Sequence, residues 1–553
     1  MINIICENNS SKKKYKFGTS LNEIAKDQNI KIEHPILGAI VNNKLKELSY
    51  RIYKPKNVKF IDITHPQGMR MYVRSLSFVL EKAVKELYPH ANLFIKHSVS
   101  KGYYCEIENL NTELTNEIIF EIGNRMRDIV KKDRPFTREE ILTKEAIDLF
   151  EKNNFTEKSK LFKNRYQLYT SIYSLDDAID YYYGFLVPST GCLKIFDLVK
   201  YYEGMLLMIP KIKTPEELED IVLQNKMFDI FKEYKDWGKI LGVGTVGSIN
   251  EMVLNGNANE LIKISEALHE KKVAQIADRI FNQKGEIKLI LISGPSSSGK
   301  TTFAKRLAVQ LKVIGLKPRT LSLDNYFVNR KLTPKDENGE YDFEALEALD
   351  IQLFNKNIID LFNGKEVDMP KFSFETGERF YDGSKLKINN KNIIIAEGIH
   401  ALNPKLIPLI DNKNTIKVYV SALTSTSLDG HNRIPTTDNR LIRRIVRDYR
   451  YRHYSALDTI KRWESVRNGE NKNIFPYQEN ADVMFNTALV YELGVLKKFV
   501  EPMLKEVMPD KPEFDEASRL LKFFSYFTPI SDEEIPPTSI IREFLGGSSF
   551  NYK

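Results

Sequence analysis

Only three cysteines, Cys6, Cys105 and Cys192, occur in 553 residues. They are too few and too scattered for a disulfide framework or a zinc site, and they fit a reducing compartment. Long hydrophobic runs are missing as well: GMLLMIP is far short of the roughly 18 apolar residues a membrane span needs. The N-terminus, MINIICENNSSKKKYKF, turns polar after six residues and has no signal-peptide core. A cytoplasmic protein with no membrane partner is the expectation. No strong charge of one sign is present, since 82 Lys and Arg stand against 74 acidic residues, a net +8. That balance leaves nucleic acid, membrane surface or phosphorylated small molecules open as partners. With 42% hydrophobic residues the chain is too apolar for disorder and too long for one core, so two to four domains are expected.

Residues 1–61 read as a short strand at Ile2–Cys6, a helix around Leu21–Asp27, and strands near Leu37–Val41 and Val58–Ile61. This order resembles the ubiquitin-like TGS domain. A helical pattern follows from Met71 to Leu87, with Val73, Leu76, Val79, Leu80, Ala83, Val84 and Leu87 on one face, and stops at Pro89. From Arg74 to Ile107 the chain resembles the editing domain of threonyl-tRNA synthetase, which also follows a TGS domain. The resemblance puts the family's HxxxH pair on Arg74 and Phe78, and its Cys-x-x-x-His pair on Tyr182 and Leu186. Phe and Leu neither ligate a metal nor move a proton, so no deacylase activity is expected and a scaffold or binding module remains. His65, His90 and His97 read as structural. GVGTVG at 242–247 matches G-x-G-x-x-G formally, but FKEYKDWGKIL before it is charged and helix-like, which favours a turn or close packing.

The strongest signal is IKLILISGPSSSGKTTFAKRLAVQL. A buried strand at Leu289–Ile292 leads into Gly294, Pro295, Ser296, Ser297, Ser298, Gly299, Lys300 and Thr301, the spacing G-x-x-x-x-G-K-[ST], and then into an amphipathic helix. Small residues turn backbone N–H groups inward around phosphate oxygens, Lys300 reaches the β and γ phosphates, and the Thr301 hydroxyl suits Mg²⁺. Thr302 completes the nucleotide-binding stretch. A second strand, Thr320–Leu323, ends at Asp324, a candidate general base on an acceptor hydroxyl, or else a turn cap. A third, Ile393–Ala396, ends at Glu397, an acid for the Mg²⁺ shell or else a salt-bridge partner. Residues 433–452 hold seven Arg and two Asp. Arg440, Arg443, Arg444 and Arg447 fall at i, i+3, i+4 and i+7, so on a helix they share a face that repels itself and calls for an anion; phosphate and a salt-bridged surface are the two readings.

P-loop, SLDNYF, YDFEALEALD, MPKFSFETGER, IIIAEGIH and the arginine helix stand in the order of the uridine kinase and phosphoribulokinase family, over roughly 285–500. The whole chain resembles the long bacterial uridine or nucleoside kinases. The resemblance implies an α/β P-loop kinase domain, a parallel sheet flanked by helices, preceded by a small β-grasp domain and an α+β editing-like domain. The expected units are 1–61 (TGS-like), 62–225 (editing-like, degenerate site), 226–283 (helical connector), 284–510 (kinase) and 511–553 (C-terminal tail, docked by its Phe and Leu). It further implies ATP and Mg²⁺, catalytic roles for Lys300, Asp324, Arg444 and Arg447, and substrate contacts from Glu344, Phe372, Phe374 and Arg452. Gly377 departs from the pattern: it stands where uridine kinases carry a pyrimidine-reading His, and Phe372 where they carry Tyr, which weakens base readout. The expected activity is transfer of the ATP γ-phosphate to a hydroxyl of a nucleoside or related small molecule. The alternative is an RNA- or tRNA-binding regulator, held through the N-terminal domains, with the P-loop as a nucleotide switch. Oligomeric state stays open.

Overall fold

The computed structural model describes residues 1–552 except 166, 284–285, 336–338, 340 and 390. The expected kinase start at 284 and the last residue of the expected tail, 553, lie outside the described residues. At the N-terminus a mixed five-stranded sheet runs in the order 11–15, 2–6, 56–61, 38–41, 45–46, with 2–6 and 56–61 parallel. Its strand Ile2–Cys6 alternates buried and exposed residues, as a half-buried strand should. The helix Leu21–Asp27 is closed by a reciprocal cap between Ser20 and Glu23.

The next helix runs Pro66–Leu87, starting five residues before the apolar pattern. Its start is polar and local: His65 Nδ1 accepts from the Gln67 N–H at 3.2 Å, and Pro66 occupies the first turn. With the helix Asn116–Lys131 it packs against an antiparallel sheet ordered 197–201, 204–208, 102–108, 92–99. Phe78, Tyr182 and Leu186 are all fully buried in this core, the Phe78 and Tyr182 rings 5.8 Å apart. Arg74 lies against Gly184 and donates to the Phe185 carbonyl at 3.3 Å. The four positions matched to the editing motif therefore come together as packing. His97 stacks on Phe231 with ring centroids 3.7 Å apart, and burial pushes its pKa well down.

Helices Asn225–Leu241, Val246–Leu254 and Ala258–Asn282 follow. GVGTVG joins the first two: Thr245 caps the second helix, and Gly247 packs against the Leu161 backbone. Val273, Ile276 and Ile280 of the long third helix share a core with Ile290, Ile292, Phe303 and Leu307, so this segment packs with the P-loop strand and the helix after it. Residues 511–552 likewise lie in the core: Leu520, Phe523 and Phe524 pack with Leu441, Ile442 and Ile445, while Ile540 and Phe544 pack beside Phe303.

The front half meets the C-terminal region at a buried charge cluster. Lys158 Nζ lies 2.8 Å from Asp180 and 3.4 Å from Asp429, and His431 lies 2.7 Å from Asp180 and 3.3 Å from Glu81. Asp180 and Glu81 outweigh burial and the nearby Lys158, raising the His431 pKa to about 9. A folded pKa above the unfolded value of about 6.5 means the unfolded state binds fewer protons. This stability is therefore fully present below pH 6.5 and is lost as pH rises toward 9. Chemical unfolding of His431→Gln should show its largest loss relative to wild type near pH 6, shrinking by pH 9.

Candidate active site

Five parallel strands form the kinase sheet in the order 317–322, 392–397, 289–293, 415–421, 483–486. From the central strand the chain goes first to one side and later to the other, so a crevice opens at the carboxyl ends where the direction reverses. Three motifs emerge there: the P-loop from Leu289–Ser293, Asp324 just beyond Lys317–Ser322, and Glu397 at the end of Asn392–Glu397. The strand before Asp324 runs 317–322, earlier than its apolar residues suggest, because it is an edge strand with Lys317 and Arg319 exposed.

The loop bends tightly back on the sheet. A Cβ on Gly294 would sit 1.9 Å from the Val420 carbonyl oxygen, so only glycine fits. Ser297 adopts φ 58°, and the helix Lys300–Val313 starts directly after the loop. Lys300 Nζ donates to the Pro295 carbonyl at 3.1 Å, and the Thr301 hydroxyl donates to Glu397 Oε1 at 3.2 Å.

Around Lys300 the site is acidic. Desolvation lifts Glu397 to about 7 against the pull of Lys300, with Asp324 and Glu543 adding to the rise. Glu344 is also lifted to about 7, by desolvation first and then by Glu470. Asp324 is exposed, yet desolvation by the protein around its carboxyl raises its pKa, while Lys300 and Arg452 oppose the rise. Lys300 is lowered by desolvation, which Glu397, Asp324 and Glu543 counter. Uncompensated carboxylates beside a hydroxyl form a hard oxygen donor set that suits Mg²⁺, which binds few protein ligands and keeps water and phosphate oxygens. Among the described residues no group of three or more His, Cys, Asp or Glu is placed to hold a metal ion.

The arginine helix spans Thr436–Arg452. Arg440 and Arg443 are fully buried and point into the protein. Arg440 pairs with Glu470 and donates to the Ser296 carbonyl at 3.2 Å, while Glu470 accepts the Ser296 N–H at 2.9 Å. Arg443 pairs with Glu492 and donates to Thr487, whose hydroxyl donates to the Ser298 carbonyl at 2.6 Å. These two arginines brace the P-loop. Arg444 donates to Ser296 Oγ at 2.8 Å, and Arg444, Arg447 and Arg452 share the single carboxylate of Asp448. Three guanidiniums on one acid leave positive charge facing the loop.

Phe372 and Phe374 form a ring cluster with Phe327, three residues after Asp324, at centroid distances of 5.3 to 6.1 Å; Phe374 is 63% exposed. Gly377 has φ 74°, and a Cβ there would lie 2.7 Å from Arg330 Nε, so Arg330 covers the space a histidine side chain would enter. Glu470, Glu492 and Glu543 join the site without any signal in their local sequence.

A parallel sheet with a P-loop on its central strand defines a P-loop nucleotide-binding fold. Residues 289–492 match the model "Phosphoribulokinase / Uridine kinase family". The C-terminal region therefore carries a domain of that family, and the N-terminal region matches threonine–tRNA ligases across their TGS and editing domains. The threonine–tRNA ligase of Clostridium kluyveri is 30% identical over 192 residues, 34% of this chain and 30% of its own length. That of Thermotoga neapolitana is 29% identical over 200 residues, 35% of this chain and 30% of its own. The chain thus spans about 30% of the length of these relatives. Among solved structures, a "Possible Uridine Kinase" from Bacillus stearothermophilus matches at 17% identity and TM-score 0.27, covering 39% of this chain and 98% of that one. D-glycerate 3-kinase from Cryptococcus neoformans matches at 15% and 0.22, covering 48% and 89%. Among the described residues no helix is long and apolar enough to cross a membrane.

Proposed function

We propose that the protein transfers the γ-phosphate of ATP to a hydroxyl of a small molecule of nucleoside type, with Mg²⁺. The observation that carries this reading is the convergence of the P-loop, Asp324 and the Arg444–Arg447–Arg452 group at the carboxyl end of the sheet. Lys300 and the P-loop backbone N–H groups, other than Pro295, which has none, and Ser296, whose N–H goes to Glu470, hold the β and γ phosphates. Thr301 and Glu397 would hold the metal, which supplies charge neutralisation across the phosphates when bound. Asp324 takes the proton of the acceptor hydroxyl as its oxygen bonds to the γ phosphorus and the bond to the β–γ bridging oxygen breaks, releasing ADP. Its raised proton affinity suits a base. Arg444, Arg447 and Arg452 offset charge on the transferring group. Glu344 and the Phe372–Phe374 cluster receive the acceptor. A cytoplasmic site of action agrees with three free cysteines.

In this reading the front half, 1–61 and 62–225, regulates or docks the kinase. One observation bears on RNA for it: a cleft of about 1690 Å³ between the front half and the C-terminal region, where Arg74, Arg433 and Arg467 lie with Tyr103, Tyr183 and Trp463 but also with acids such as Glu464, Asp515 and Glu516. Guanidiniums interleaved with rings suit single-stranded nucleic acid. Filter binding of tRNA should weaken steeply with salt and weaken further in Arg433→Ala/Arg467→Ala; unchanged binding in that variant contradicts the cleft as the RNA site.

A further inference from the structure

The C-terminal segment brings a carboxylate onto the P-loop helix. Glu543 Oε2 accepts from the Thr302 hydroxyl at 2.6 Å and from the Thr302 backbone N–H at 3.3 Å, and the Tyr552 hydroxyl lies 3.0 Å from the same Thr302 oxygen. These are donors of the first turn of the helix Lys300–Val313, where unpaired N–H groups and the helix dipole favour an anion. Within a P-loop the lysine serves the β and γ phosphates and the next hydroxyl serves the metal. Thr302, one residue further along the turn, is then the donor pair left for the α-phosphate. A carboxylate and a phosphate oxygen cannot both use it.

The carrier of this carboxylate is fixed in place. Ile540 and Phe544, on either side of Glu543, are fully buried with Phe303 and Leu307, and Ile540 Cγ2 lies 2.6 Å from where a Cβ on Gly299 would be. The short helix Arg542–Leu545 therefore stays docked, and the groups free to move are the partly exposed Glu543 side chain and Tyr552. Glu543 also adds its charge to a site that already holds Asp324 and Glu397 around Lys300.

We propose that Glu543 is an intramolecular competitor for the nucleotide α-phosphate, an autoinhibitory contact that sets the ATP affinity of the kinase. This rests on the nucleotide-binding reading of the P-loop given above. ATP must displace the carboxylate, so its apparent affinity is the intrinsic affinity scaled by the fraction of molecules with Glu543 turned away. A ligand that fills only the β and γ positions meets its charge but does not compete for Thr302.

Calorimetric titration of wild type, Glu543→Ala and Glu543→Gln with Mg-ATP and with inorganic pyrophosphate tests this, with circular dichroism confirming that Ile540 and Phe544 still anchor the segment. ATP should bind Glu543→Ala about 10-fold more tightly, the factor for a site nine-tenths occupied by the carboxylate, with Glu543→Gln in between. Pyrophosphate should change less than ATP in both variants. ATP affinity unchanged or weakened in both folded variants, while wild type binds ATP, overturns the competitor. An equal gain for ATP and pyrophosphate overturns the α-phosphate assignment in favour of general repulsion. No ATP binding by any of the three proteins overturns the P-loop reading itself.

Discussion

An Asp324→Asn protein should bind ATP as wild type does and transfer phosphate about 10²–10⁴-fold more slowly, the usual worth of a general base. The amide fills the same space beyond the strand 317–322 but cannot take a proton. The pH dependence separates this from a positioning effect. Desolvation raises the Asp324 pKa, so the limb over which the base ionises moves to higher pH than for a free aspartate, and turnover should climb with pH until ionisation is complete. The residual rate of Asp324→Asn should lack that limb in single-turnover measurements. Lys300→Ala should behave differently, losing ATP affinity as well as turnover, because Lys300 serves ground-state and transition-state phosphate alike.

The second large effect is on stability. Glu470→Leu leaves the Arg440 guanidinium buried without its carboxylate and leaves the Ser296 N–H without an acceptor. Breaking one side of a buried pair costs about 3–5 kcal/mol. Urea unfolding of Glu470→Leu should show a loss of that order, and the double variant Arg440→Met/Glu470→Leu should recover much of it, because no charge is then stranded. Since Glu470 holds the Ser296 peptide, the single variant should also bind ATP more weakly. An additive double variant would contradict the pairing as the source of the effect.

Features written within about ten residues of each other were legible in the sequence. The P-loop needs its strand, small residues, lysine and helix in one stretch, and Glu397 follows its strand directly. The arginine helix was half legible. Its position follows from i, i+3, i+4, i+7 spacing, but Arg440 and Arg443 turn inward because Glu470 and Glu492, 30 and 49 residues away, meet them there. Of the local net charge of seven Arg minus two Asp, those two acids cancel two more, leaving three. Glu543 lies 241 residues from Thr302 and sits in a segment whose apolar residues announce docking but not where. The helix 66–87 starts early because a His cap and Pro66, rather than apolar periodicity, set its first turn. At Gly377 the resemblance to uridine kinases implies a missing histidine, while the structure adds Arg330 over the same spot.

The most direct test of the central claim is transfer of label from γ-³²P-ATP, with Mg²⁺, into a panel of nucleosides and sugar phosphates, run with and without tRNA and repeated with Asp324→Asn. The account predicts a labelled small-molecule product from the wild-type protein that Asp324→Asn fails to make while still binding ATP. Release of labelled inorganic phosphate with no labelled acceptor, together with salt-sensitive tRNA binding, would contradict it and favour a nucleotide switch on an RNA-binding protein.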